Sequence, residues 1–161
     1  MTTHENALPN AFGVPQWWIS MRQWLGHFPL SILQLGMRIG VGMVFFKSGL
    51  LKYQSFDFAV QLFKDEYKLP LLAPAVAARI SMINELTCSI FLLFGLATRL
   101  ATLPLLAMIL VIQIVYPIAW PDHVLSGSVL IFLLTRGPGT FSVDYVIDQY
   151  LRKRSGTPLQ S

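Results

Sequence analysis

The stretch 30-LSILQLGMRIGVGMVFFKSGLLK-52 decides the fold. At about 1.5 Å per residue, a helix of this length matches a hydrocarbon core about 30 Å thick. Yet Arg38 and Lys47 interrupt the apolar run, and Lys52 closes it. A cation in hydrocarbon is costly, so these point either to a site or to a partner helix. At 100° per residue, Arg38, Gly42, Phe45, Gly49 and Lys52 fall within about 40° of one line, whereas Lys47 points away from Arg38, with Gly36 and Gly40. The glycines Gly36, Gly40, Gly42 and Gly49 are the candidate helix-packing positions, and GMRIG supplies a small-xxx-small step.

Outward from this run, the composition agrees. Of 161 residues, 54% are hydrophobic and only 12% charged, where a soluble domain carries about a quarter charged residues. Mean hydropathy is +0.57. The net charge of +4 sits at helix ends and flanking segments, where orientation and lipid contact account for it, so nucleic-acid binding is not expected. A single cysteine, Cys88, excludes an internal disulfide and a cysteine metal cage.

Before the first span, residues 1–15 read as a loose tail without the pattern of a signal peptide. Trp17, Met21, Trp24, Leu25 and Phe28 then form one helical stripe, and three tryptophans suggest an interfacial helix. Further spans are expected at about 75–95, 101–116 and 121–136, after a first at 30–51. Residues 52–74 hold a surface amphipathic helix. Ser142 can cap a final amphipathic helix that ends in Arg152, Lys153 and Arg154. The expected fold is an all-α, four-helix membrane bundle. It divides into an N-terminal segment (1–29), the bundle (30–136) and a basic C-terminal segment (137–161). Arg22, Arg99, Arg136, Arg152, Lys153 and Arg154 fall on the side of the termini, against Lys52, Lys64 and Lys68 on the other. That asymmetry predicts cytoplasmic N- and C-termini.

The intramembrane polar residues are the candidate site. Arg38 and Glu85 each come out close to mid-membrane, so an ion pair between them is expected, with Asn84 beside Glu85 and Arg79 on another face of the same helix. Such a pair either fixes helix register or leaves a carboxylate that exchanges protons or contacts a bound headgroup. Lys47, Arg79, Gln113, Tyr116 and His123 all fall towards the opposite end from the termini. A cluster of donors there suits a quinone carbonyl, an inorganic anion or a partner's carboxylate, although Lys47 and Arg79 can also snorkel. His4, His27 and His123 are too scattered for a metal site, and none is expected. The chain has no Gly-rich phosphate loop, nucleophile elbow or HExxH, which leaves hydrolase and nucleotide-driven chemistry unsupported.

The ordered series RIGVGMVFFKSGLLK at 38–52, Glu85, GLATRLA at 95–101, VIQIVYP at 111–117, WPDH at 120–123 and RGPGTFSVD at 136–144 resembles the DoxX family. The resemblance covers about residues 30–150. It implies a small four-helix bacterial inner-membrane protein, encoded beside redox or metal-stress proteins. One relative of the family is the membrane subunit of a thiosulfate:quinone oxidoreductase, and a DoxX-type protein joins a superoxide dismutase and a sulfurtransferase in a membrane complex. The local form looks closest to DoxX proteins that accompany bufferin peptides and multinuclear iron oxygenases. Many relatives carry His where Ser48 stands, and this chain departs from them there. The expected function is an accessory membrane subunit of a redox or metal-stress system, with quinone as the one cofactor in view. Its partners would be the bilayer, a soluble redox or metal-handling protein, or further copies of itself. The alternatives are a small-ion or metal transporter and a non-catalytic anchor.

Overall fold

The computed structural model describes residues 15–26, 29–68 and 72–155. Within them the regular structure is all helical, with no strand among the described residues, as the hydrophobic pattern predicts. Helix α1 is Gln16–Gly26 and α2 is Leu30–Gln54. Helix α3, Phe56–Leu62, runs on into a π-helical turn over Phe63–Tyr67. Helices α4 (Pro74–Phe94), α5 (Thr98–Val115), α6 (Trp120–Arg136) and α7 (Val143–Ser155) complete the chain. A 3-10 turn over Pro117–Ala119 leads into α6, so the fourth apolar segment spans 20 residues, Pro117–Arg136, and begins four residues before the expected 121–136. Four helices are long and apolar enough to cross a membrane.

Local chemistry fixes the ends. Pro74 and Pro121 stand in the first turns of α4 and α6, where a missing N–H costs nothing. Gly95 ends α4 in a left-handed conformation with φ +67°. Its N–H donates to Leu92 O and that of Leu96 to Phe91 O, the paired bonds of a Schellman cap. Helix α5 starts at Thr98, three residues before the expected boundary, because Asp144 of α7 accepts from the N–H groups of Ala97 and Thr98 at 2.6 and 2.9 Å. Ser142 caps α7, accepting from Tyr145 N–H at 3.1 Å.

Helix α2 packs on α4 and α6, and α5 closes the ring between them. The core is Val41, Phe45, Cys88, Leu92, Ala101, Leu105, Leu130 and Leu133. Outward-facing Ile39, Val44, Ile83, Leu110, Ile114 and Ile131 remain exposed, the pattern of a bundle whose outer solvent is lipid. Trp17, Trp18 and Trp24 are likewise exposed on α1. Phe28 and the side chain of Leu25, the remaining members of the expected α1 stripe, lie outside the described residues, as do His4 and His27.

Register between α2 and α4 is set by two glycines. A methyl group at Gly49 would stand 2.9 Å from Leu86 and 3.0 Å from Glu85, and one at Gly42 would stand 3.1 Å from Leu93. Gly36 and Gly40 face outward with nothing within 4 Å. The small-xxx-small step is therefore not used between helices among the described residues.

Candidate functional site

The inner stripe of α2 carries two cations, Arg38 and Lys52, and the register places them at opposite ends of the bundle. Arg38 and Glu85 do not pair, which corrects the expectation from the sequence. Gly49 lies against Glu85, and Arg38 is eleven residues earlier, about 16 Å along the helix. Equal distance from mid-membrane was the wrong measure, because the helices are offset along their common axis.

The partner of Glu85 is Lys52. Its ammonium donates to both carboxylate oxygens at 2.8 Å and to Ser48 Oγ at 2.8 Å. Ser48 in turn donates to Glu85 Oε1 at 3.3 Å. Ser81, one turn before Glu85 on α4, donates to Met108 Sδ at 3.4 Å. The side chains of Lys52 and Glu85 are only 11% and 3% exposed. All three ammonium protons are used, so the unit is closed and net neutral. Lys52 is thus the counter-ion of Glu85. The spacing Ser48–Lys52, one helical turn, was the sequence signal for it.

At the other end, Arg38 is neutralised mainly by backbone. Its Nη1 donates to Pro138 O at 3.1 Å and its Nη2 to Phe141 O at 2.7 Å. Gln34 Nε2 donates to Gly137 O at 3.2 Å. The chain from 137 to 142 is therefore folded back over the start of α2. Arg38 Nε is buried without a partner among the described residues. Gln34, Asp144 and the 137–142 loop carry no cue in hydropathy, since their role depends on where the loop returns.

Between α4, α5 and the π turn lies a lateral groove of about 640 Å³. Its walls are apolar, and Tyr67, Ser81, Asn84, Thr87, Cys88 and Met108 line it. Asn84 Nδ2 donates to Pro104 O at 3.2 Å and Oδ1 accepts from Cys88 Sγ at 3.2 Å. Tyr67 stacks edge-on with Phe63 at 4.9 Å and with Tyr116 at 5.6 Å. Burial, and then the carboxylates of Glu85 and Glu66 and the Tyr116 phenol, push the Tyr67 phenol above its ordinary value and keep it a neutral donor. Its hydroxyl has no hydrogen-bond partner among the described residues.

The five donors expected to converge near the other end do so only in part. His123 Nδ1 lies 2.7 Å from Gln113 Oε1, and Tyr116 contacts Tyr67. Arg79 instead sits over the Phe56 ring at 5.3 Å, a cation–π contact. Lys47 is exposed on the outer face of α2. Among the described residues no group of three His, Cys, Asp or Glu side chains can hold a metal ion.

Comparison with known proteins agrees with this architecture. The model of the DoxX family matches residues 33–117, from the early part of α2 through α5. No curated relative and no solved structure matches the chain.

Proposed function

The chain belongs to the DoxX family, and on that premise we propose that it is an accessory membrane subunit of a bacterial redox or metal-stress system that receives a quinone in the groove between α4 and α5. The single observation that carries this reading is the groove itself. It is apolar, open towards the lipid-facing side, and edged by the unpartnered Tyr67 hydroxyl beside the Glu85 unit. These features fit a quinone, whose ring needs apolar walls and whose carbonyl needs a neutral donor. A bound quinone would supply two-electron, two-proton chemistry, and the chain's residues would bind and orient it.

The termini are proposed to face the cytoplasm, because Arg99, Arg136 and Arg152 gather at the end where α4 turns into α5 and α7 returns. With Cys88 replaced by Ser, cysteines at Asp65 and Asp122 should label from outside and one at Lys153 should not. The reverse pattern inverts the orientation.

The quinone reading is tested by purifying the protein in native nanodiscs and extracting lipids. Wild type should retain quinone, and Met108→Trp, which fills the groove, should lose most of it while keeping its helicity. Wild type free of quinone, or Met108→Trp equal to wild type, rejects the reading. Transport receives less support, since Leu92, Leu105, Leu130 and Leu133, all 0% exposed, fill the bundle between its two polar layers. Proteoliposome ion flux that Glu85→Gln abolishes would restore it.

A further inference from the structure

A second cleft, of about 630 Å³, lies at the end of the bundle away from Glu85, between the start of α5, the end of α6 and α7. Arg99, Arg136 and Arg152 line it, with Asp144 and Asp148. Both acids are already engaged. Asp144 accepts from the Ala97 and Thr98 N–H groups, and Asp148 accepts from Arg152 Nε at 2.8 Å. Neither Arg99 nor Arg136 has a side-chain hydrogen bond or ion pair among the described residues. Both line the same cleft, and Arg99 Nη2 comes within 3.6 Å of where a methyl group at Gly137, the residue after Arg136, would stand. Two cations that line one cleft without an ion-pair partner favour an anion between them, and a planar guanidinium matches the oxygens of a phosphate. Leu100, 69% exposed at the rim, continues the cleft on to the lipid-facing surface of α5.

We propose that this cleft binds a phosphate-bearing anion through Arg99 and Arg136, and that its lipid-facing rim makes that anion the headgroup of an acidic phospholipid. Basic pockets at the ends of membrane helices hold such headgroups by charge while acyl chains follow the outer helix face. The site is independent of the groove beside Tyr67, so either can fail without the other.

The test is a titration of the detergent-solubilised protein with short-chain phosphatidylglycerol, short-chain phosphatidylcholine and inorganic phosphate, read by native mass spectrometry. Wild type should prefer phosphatidylglycerol. Arg99→Gln and Arg136→Gln should each weaken it about fivefold, and both together about thirtyfold, at the usual strength of one basic residue near an anionic headgroup. Lys64→Gln/Lys68→Gln, at the other end of the bundle, should bind as wild type does. Arg136→Gln alone, at an exposed side chain with no bonds, serves if the double variant loses its helicity. Inorganic phosphate that binds as tightly as phosphatidylglycerol, and depends on both arginines, retains the phosphate site and overturns the lipid source. Equal binding of the two lipids with no competition from phosphate, or arginine variants equal to wild type, overturns the proposal.

Discussion

The two ends of the inner stripe of α2 hold a cation in different ways. Lys52 faces a carboxylate from α4 and a hydroxyl one turn away, all on regular helices. Arg38 faces the carbonyls of an irregular loop that folds over it. A lysine is a point charge that one carboxylate can match, whereas a guanidinium presents a fork that separate carbonyls can fill. The first arrangement ties two helices together. The second ties a loop to a helix and gives that loop a reason to be irregular, since a helix would keep its own carbonyls occupied.

The largest expected effect breaks the first of these. Lys52→Met leaves Glu85 buried and unpaired and should cost about 3–5 kcal/mol in reversible unfolding in detergent. Glu85→Leu should cost less, because the Lys52 side chain lies nearer the helix end and can extend to the headgroups. The double variant Lys52→Met/Glu85→Leu should recover most of the loss. Additive losses would mean that the two residues are not coupled.

At the other end, Arg38→Leu strands two carbonyls and should cost about 1–3 kcal/mol for the unsatisfied groups. Gly95→Ala should cost a similar amount, about 1–3 kcal/mol. Its φ is +67°, and the added methyl would meet the Arg38 guanidinium and Ser142. A wild-type melting curve for Gly95→Ala would mean that the loop does not close over Arg38. Smaller still, Ser142→Ala should cost about 1 kcal/mol through the lost cap of α7, seen as faster hydrogen exchange at Tyr145.

Tyr67 gives a pH-dependent counterpart. Its pKa is raised, so the stability of the neutral phenol is fully present below about pH 10 and lost as pH rises through the folded value. Tyr67→Phe should show a weaker alkaline loss in thermal scans, and an identical loss would place the sensitivity elsewhere. Least of all, Gly36→Ala and Gly40→Ala should be neutral or stabilising by up to about 1 kcal/mol, since both face open space. A marked loss would show that a second helix docks there.

The class of fold was legible because four long apolar runs and their proline and glycine punctuation leave few alternatives in lipid. The angular position of Arg38, Gly42, Phe45, Gly49 and Lys52 was legible as well, since periodicity fixes which residues share a face. Axial offset was not. Distance from mid-membrane paired Arg38 with Glu85, whereas close approach at Gly42 and Gly49 sets the register that pairs Lys52 with it. The same ambiguity hid which glycines pack, because Gly36 and Gly40 carry the more familiar spacing but face outward. Contacts from the 137–142 loop and from Asp144 join residues about a hundred and about fifty positions apart, and no local pattern encodes them.

Asp144 has a bearing on how the bundle is made. Its carboxylate holds the first N–H groups of α5, and its own N–H donates to Gly95 O at 2.9 Å. The turn between the second and third spans is thus completed by a residue synthesised almost fifty positions later. Those donors therefore cannot meet their acceptor until the last spanning helix has been made. Truncation ahead of α7 would leave all four spans in place and the bundle unlatched.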